Sequence, residues 1–406
     1  MEYKPQLDGL RFIAVFVVVF YHYLPVYQVL GGVLDIGNLL AFFFVLSSYL
    51  ITKILLISKE RGLEAGYSKH KVGLAFLIRR TLRIFPAYYF YLFVVFLFPI
   101  AGGYLRENLD MFLLYAANFQ LYADQEWGEL TAHLWTLAVE EQFYIVWPWL
   151  ILFTPRKYLV KFLFLIISVG VVSRFVLFQM AGDPASQIVT YEILTPTCID
   201  GFGFGALLAY WHLYGKERNP ILAKAFFVAA PLWLLLLYFN QLGLASALGR
   251  VVVALLAMLV IERANIGFGN WFGRFLENKV VLYLAKISYG IYLYHIFAVF
   301  FLWEAMRRAK YLVFDPLGLN IFPLYDIVKL PVVSLVLYVL LTVAFASASW
   351  YFLEKPINSL KRFFGYTKPR TVPKAAPTAA DEPEVEIESV TPPAAPISQP
   401  QLAKKI

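Results

Sequence analysis

Ten times along this chain, about twenty residues pass with few charges among them: roughly 9–27, 37–57, 83–101, 135–153, 160–178, 193–213, 221–239, 243–262, 280–303 and 329–352. A helix of about 20 apolar residues matches the hydrocarbon thickness of a bilayer. It also satisfies its own backbone polar groups where water cannot reach them. The pattern predicts an all-α polytopic membrane protein with about ten transmembrane helices. A further apolar stretch, Leu109 to Tyr122, is shorter and runs into Asp124, Glu126 and Glu129. It predicts one short interfacial or re-entrant helix. Composition agrees, with 60% hydrophobic and 15% charged residues where soluble domains hold about 45–50% and about 25%.

The formal charge of +8 does not point to nucleic acid, because the basic residues fall between the spans as topology signals do. With the N-terminus inside, 28 of the 35 Lys and Arg lie on the cytoplasmic side. Counting 109–122 as a crossing would invert everything after it. Both termini are therefore expected inside. The first apolar stretch carries Arg11 and His22 and lacks an Ala-x-Ala exit, so it is expected to stay as a helix and not leave as a cleaved leader. Residues 367–406 hold eight of the 22 prolines and no aromatic residue. They are expected to be a disordered, cytoplasmic Pro/Ala-rich tail, with no second folded domain. The single cysteine, Cys198, excludes an internal disulfide framework and a Cys-rich zinc site.

Ionisable residues inside spans are costly and mark function by default. Arg11 and His22 are eleven residues apart, which on a helix returns to within about 20° of one face and separates them by about 16 Å. They read either as a fixed cation and a titratable imidazole at opposite membrane surfaces, or as a snorkelling anchor and an interfacial histidine. Arg79, Arg80 and Arg83 enter the third span ahead of Pro86. At i,i+3 and i,i+4 they can grip phosphates, or simply mark the cytoplasmic side. His133, Glu140 and Tyr144 share one helix face at the start of the fourth span, with Thr136 and Glu141 beside them. Two carboxylates among belt aromatics are hard to read as solvated surface. Ser288, Tyr292 and His295 form a polar stripe in the ninth span, which interhelical hydrogen bonding could also explain. Gly201 and Gly205 make a small-residue packing face, next to the more suspect Asp200. There is no His-Glu-x-x-His and no Gly-x-Ser-x-Gly, so neither a metal site nor a nucleophile elbow is expected.

Taken in order, these segments resemble one family. Leu7-Asp8-Gly-Leu-Arg11 with His22, Phe42-Phe-Phe-Val-Leu-Ser47-Ser48 and Arg79-Arg-Thr-Leu-Arg83-Ile-Phe-Pro86 are similar to the opening motifs of the acyltransferase-3 family of integral membrane acyltransferases. Leu134-Trp-Thr136-Leu-Ala-Val-Glu140-Glu-Gln-Phe-Tyr144, Ile287-Ser-Tyr-Gly-Ile-Tyr-Leu-Tyr-His295 and Tyr351-Phe-Leu-Glu354-Lys-Pro356 resemble the later ones. The departures are Ser48, where the family usually has Gly, and Thr136, where it has Ser. The resemblance spans nearly all of the chain outside the tail and makes residues 1–360 one acyltransferase-3-like transmembrane domain.

The resemblance implies an O-acyltransferase of the bacterial cytoplasmic (inner) membrane. Its substrates would be a cytosolic acyl-CoA, commonly acetyl-CoA, and a hydroxyl on a sugar, cell-surface glycan or glycolipid. No cofactor, metal or nucleic acid is implied. The family's essential Arg and His match Arg11 and His22, its Arg-x-x-Arg matches Arg80 and Arg83, and its Glu matches Glu140. In that reading Arg79, Arg80 and Arg83 hold CoA phosphates and Arg11 steers the pantetheine arm. His22 takes the acceptor proton and Glu140 orients the imidazole. Asp8, Ser47, His133, Thr136, Glu141, Asp200, Ser288, Tyr292 and His295 are candidate acceptor-site or supporting residues. Many members also carry an extracytoplasmic esterase-like domain; any such partner enzyme is expected here on a separate chain. The competing class is a proton-coupled carrier or flippase for a lipid-linked glycan or acyl donor, which also needs intramembrane Arg, His and Glu.

Overall fold

The computed structural model describes residues 3–24, 36–64, 66–181, 187–215, 220–239 and 242–365. The predicted tail at 367–406 lies outside the described residues. The described chain contains helices and no strand. Each predicted apolar segment falls largely on helix, with residues 25–27 of the first outside the described residues, and among the described residues ten helices have 19 residues or more. They are α1 (Pro5–Tyr23), α2 (Ile36–Glu64), α3 (Lys69–Phe96), α4 (Trp135–Phe153), α5 (Arg156–Met180), α6 (Thr195–Tyr214), α7 (Pro220–Tyr238), α8 (Leu242–Ile266), α9 (Ser288–Ala309) and α10 (Pro331–Ser349).

Among the described residues, six helices are long and apolar enough to cross a membrane: those containing Leu40–Glu64, Arg156–Met180, Ile221–Tyr238, Gly243–Ile266, Ser288–Phe314 and Pro331–Phe363. The other four, α1, α3, α4 and α6, carry Arg11 and His22, the arginine cluster, the paired glutamates and Asp200. Their polar residues lower their hydropathy and also supply the chemistry described below.

Three boundaries differ from expectation. Helix α3 begins fourteen residues before the predicted span, where Ser68 caps it by accepting from the Lys71 amide. Once nucleated at a cap, a helix propagates through polar residues as readily as apolar ones. Arg79, Arg80 and Arg83 therefore lie in the body of α3 and not at its entrance. The ninth predicted span is broken at Ile287, whose φ of −94° and ψ of 8° separate α9 from a short helix, Lys279–Lys286, capped by Asn278. The single short helix expected over 109–122 is instead part of a run of three: Gly103–Glu107, Leu109–Leu113 and Ala117–Asp124. Tyr115 and Gln125 interrupt and end the run with φ values of +54°.

Small residues set the closest helix contacts. A Cβ added at Gly205 would collide with the Val45 carbonyl of α2, and one at Gly201 would sit 3.0 Å from the Phe44 Cβ. This is the predicted small-residue face, and it draws α6 onto α2. Ser48 belongs to the same seam. Its hydroxyl donates to the Phe202 carbonyl at 2.5 Å, so the departure from Gly is used to bind α2 to α6. Phe143 of α4 stacks on Phe202 at 3.8 Å, and the Trp147 indole donates to Thr52 at 2.8 Å. Helices α2, α4 and α6 thus form a tight core beside which α1, α3 and α9 enclose the site.

Candidate functional site: a polar cavity and its basic vestibule

A cavity of about 430 Å³ opens between α1, α2, α3, α4 and α9. Helix α1 contributes Asp8 and Arg11, and α3 contributes Arg80 and Arg83. Helix α4 supplies Thr136, Glu140 and Tyr144, one helical turn apart at 136, 140 and 144. Ser47 enters from α2, and Ser288 and Tyr292 from α9. The rest of the wall is mostly apolar, including Val15, Leu40, Phe44 and Leu137, with Lys4, Lys53 and Asn265 among it.

Within the cavity the polar groups are ordered by short bonds. Arg11 donates to Asp8 at 2.8 Å one turn away. The Tyr144 hydroxyl donates to Glu140 Oε2 at 3.0 Å and lies 3.0 Å from the Ser47 hydroxyl. The Arg80 guanidinium sits over the Tyr144 and Phe76 rings, 5.4 Å from each centroid. Among the described residues no carboxylate lies within salt-bridge distance of Arg80 or Arg83. Thr136 lies 2.5 Å from the Tyr292 hydroxyl, and the two are 3.1 and 2.8 Å from the His133 carbonyl; with one hydrogen each, one donates to the carbonyl and the other to its neighbouring hydroxyl. Of the sequence candidates, Thr136, Ser288 and Tyr292 thus lie at the cavity wall.

A second, more open hollow of about 680 Å³ shares Tyr3, Asp8, Arg11 and Arg83 with the cavity. It adds Lys279, Lys286 and Lys361, so five cations face one carboxylate. Arg79 lines neither hollow. It donates to the carbonyls of Lys361 and Phe364, at 2.8 and 3.2 Å, and pins the turn that carries Lys361 against α3. The three lysines were counted in the sequence only as cytoplasmic charges. Tyr144 was noted for its helix face but not for its bonds to Glu140 and Ser47.

The other sequence candidates lie elsewhere. His22 is exposed near the end of α1, with its ring 5.0 Å from that of His295, which in turn is 5.0 Å from His133. Glu140 was expected to orient His22; its hydrogen bond in the structure is with Tyr144, and the ring facing His22 is that of His295. Glu141 is buried, and its Oε1 has no hydrogen-bond partner. Asp200 lies away from both hollows, with both carboxylate oxygens bonded by Arg174 at 2.8 and 2.7 Å. No group of three or more His, Cys, Asp or Glu among the described residues could hold a metal.

Residues 4–352 match the family described as Acyltransferase domain, Acyl_transf_3. A Staphylococcus aureus (strain MSSA476) protein named "Putative O-acetyltransferase SAS0844" is 28% identical over 385 residues, covering 88% of this chain and 58% of its own length. O-acetyltransferase OatA of S. aureus (strain NCTC 8325) is 27% identical over 384 residues, covering 88% of this chain and 57% of its own. The chain thus spans just under three-fifths of the length of these curated relatives. No solved structure matches it. Since the family match covers the cavity but for Tyr3, the histidine row, and the vestibule but for Tyr3, Asn358 and Lys361, the chain belongs to the acyltransferase-3 family of membrane acyltransferases.

Proposed function

We propose that this chain is an O-acetyltransferase module that moves an acetyl group from acetyl-CoA to a hydroxyl of a sugar, in a cell-surface glycan or glycolipid. It sits in the bacterial cytoplasmic membrane, with about ten crossings and both ends on the cytosolic side. The observation that carries this reading is the junction of the two hollows at Arg11 and Arg83. A strongly basic mouth suits the phosphates of a CoA. It leads into a smaller cavity whose largely apolar wall and inward-facing polar side chains suit a pantetheine arm and its thioester.

In this reading Arg83, with the vestibule lysines, holds phosphate, while Arg80 and Arg11 bind further along the arm. Glu140, held by Tyr144, is the fixed negative group of the cavity. His22, which lines neither hollow, takes the acceptor proton as general base once the arm carries the thioester past the cavity toward the far end of α1. The acceptor oxygen bonds to the acyl carbon, the C–S bond breaks with its electron pair on sulfur, and the proton ends on the CoA thiol.

Radiolabelled acetyl-CoA tests the proposal. Purified wild-type protein should bind the donor and transfer label to a membrane-glycan extract. Arg80→Ala/Arg83→Ala should lose donor binding, and His22→Ala should keep binding while losing transfer. Absence of donor binding in well-folded protein, with movement of unmodified substrate, would instead establish the carrier.

A further inference from the structure

The relatives and the cavity leave one feature unused: a row of three imidazoles, His22, His295 and His133, that runs from α1 to α9 to the turn before α4. His295 and His133 are buried, at 0% and 3% exposure. Each has one ring nitrogen bonded to a backbone carbonyl, His295 Nδ1 to Tyr292 O at 2.6 Å and His133 Nε2 to Leu293 O at 3.0 Å. A carbonyl only accepts, so the nitrogen facing it carries the hydrogen. In each neutral ring the opposite nitrogen is then a lone pair. Those nitrogens, His295 Nε2 and His133 Nδ1, are buried without a hydrogen-bond partner.

An orphaned buried acceptor is costly. The group placed to relieve the one on His295 is His22. Their ring centroids are 5.0 Å apart, tilted by 48°. Two imidazoles joined by a single N–H···N bond of about 2.9 Å have nearly that centroid spacing. No hydrogen bond joins them in this rotamer, and the exposed His22 ring can turn about χ2 to close one. His133 cannot serve His295 in the same way, because both of the nitrogens they have left are acceptors. The backbone of His295 is itself fixed from α1: Tyr23, the neighbour of His22, donates to the His295 carbonyl at 2.9 Å.

We infer that His295 is the positioning residue for His22, its buried Nε2 lone pair accepting the His22 N–H. The other His22 nitrogen is then presented as a lone pair to the acceptor hydroxyl. This is the orienting role that a carboxylate plays in a serine-protease triad, performed here by a neutral imidazole. It rests on the reading of His22 as the base. When His22 takes the acceptor proton, the new O–C bond forms and the C–S bond breaks. The imidazolium keeps its bond to His295 until it returns the proton toward the departing sulfur. A neutral partner leaves that proton easier to release than a carboxylate would.

Two measurements test it, one of them independent of turnover. The chain has only five histidines, so ¹⁵N-histidine NMR of the purified full-length protein can resolve them. In wild type, the His22 ring should show one fixed tautomer with a hydrogen-bonded N–H. His295→Phe should release it to a rapidly exchanging mixture, and His295→Gln, whose amide oxygen accepts, should restore it. A freely exchanging His22 in wild type, or an unchanged spectrum in His295→Phe, overturns the inference whatever the chemistry proves to be. In turnover, His295→Phe should lower kcat by about 10²-fold with the KM for acetyl-CoA within twofold of wild type. His295→Gln should recover at least tenfold over Phe. Equal loss in both variants with donor affinity intact, or near-normal kcat in His295→Phe, refutes it. Loss of donor binding by wild type would instead refute the acetyltransferase reading and leave the NMR result standing.

Discussion

Two clusters of charge set among the helices, one largely buried and one half-buried, are opposites in the structure. In one, Arg174 is fully buried and donates to both oxygens of Asp200 and to the carbonyls of Thr197 and Ala247. Arg250 shares the Thr197 carbonyl and reaches Cys198 Sγ, the Glu192 carbonyl and Glu192 Oε2. Cations and anions are matched within a few ångströms, tying α5, α6 and α8 together. In the other, Arg80, stacked over two rings, and Arg83 line a cavity, and Glu140 accepts from a tyrosine. An intramembrane charge is therefore not functional merely because it is expensive. What separates the clusters is whether the protein itself neutralises the charge.

The sharpest way to break the comparison is at His22. His22→Ala should lower acetyl transfer by about 10²–10⁴-fold, while the matched cluster, and hence the thermal stability of the detergent-solubilised protein, stays unchanged. A parallel fall in stability would mean that His22 is a packing residue.

Next is the matched cluster itself. Arg174→Ala leaves Asp200 buried and unpaired, and breaking one side of a buried pair costs about 3–5 kcal/mol. The expected result is a large loss of folded protein in a thermal-shift assay, with normal turnover per folded molecule. Replacing both partners with apolar residues, as in Arg174→Met/Asp200→Leu, should recover much of that stability. The cavity cluster should show the reverse. Arg83→Ala removes a charge-assisted bond to donor, worth about 1.5–3 kcal/mol, so the KM for acetyl-CoA rises by about 10- to 100-fold with stability within about 0.5 kcal/mol of wild type.

How much of this was legible beforehand follows the same line. Apolar length located every long helix, because a span must be apolar whatever its neighbours are. For α4 the match to 135–153 is complete, since Thr154-Pro155 ends the helix. The start of α3 was hidden because Lys69, Lys71 and the arginines lower its hydropathy without weakening its backbone bonds. Helical spacing placed His133, Glu140 and Tyr144 on one face; Glu140 and Tyr144 do share the cavity, while His133 falls in the turn before α4 and bonds the Leu293 carbonyl. Spacing could not show that Asp200 meets Arg174, or that His22 meets His295, because those contacts join residues from separate helices. The vestibule was invisible for the same reason. Lys279 and Lys286 flank a short helix, and Lys361 arrives from the far end of the chain on a turn that Arg79 holds.

That vestibule makes the smallest and most diagnostic prediction. Lys279, Lys286 and Lys361 line the open hollow, where water and salt screen each charge, so each substitution by Ala should cost only about 0.2–1 kcal/mol of donor binding. Singly, that is a rise in KM of about 1.4- to 5.5-fold, and the triple variant should approach the product of the three. The signature lies in ionic strength more than in size. Screening length falls from about 10 Å at 0.1 M salt to about 3 Å at 1 M, so the wild-type KM should climb with salt toward that of the triple variant, which should itself change little. Arg79→Ala separates direct from indirect action. It should mimic Lys361→Ala, because releasing the carbonyls of 361 and 364 lets the turn that carries the lysine move away. Combining the two should add almost nothing. Full additivity would show instead that Arg79 touches the donor itself, which would return it to the phosphate-binding role that its place in the arginine cluster first suggested.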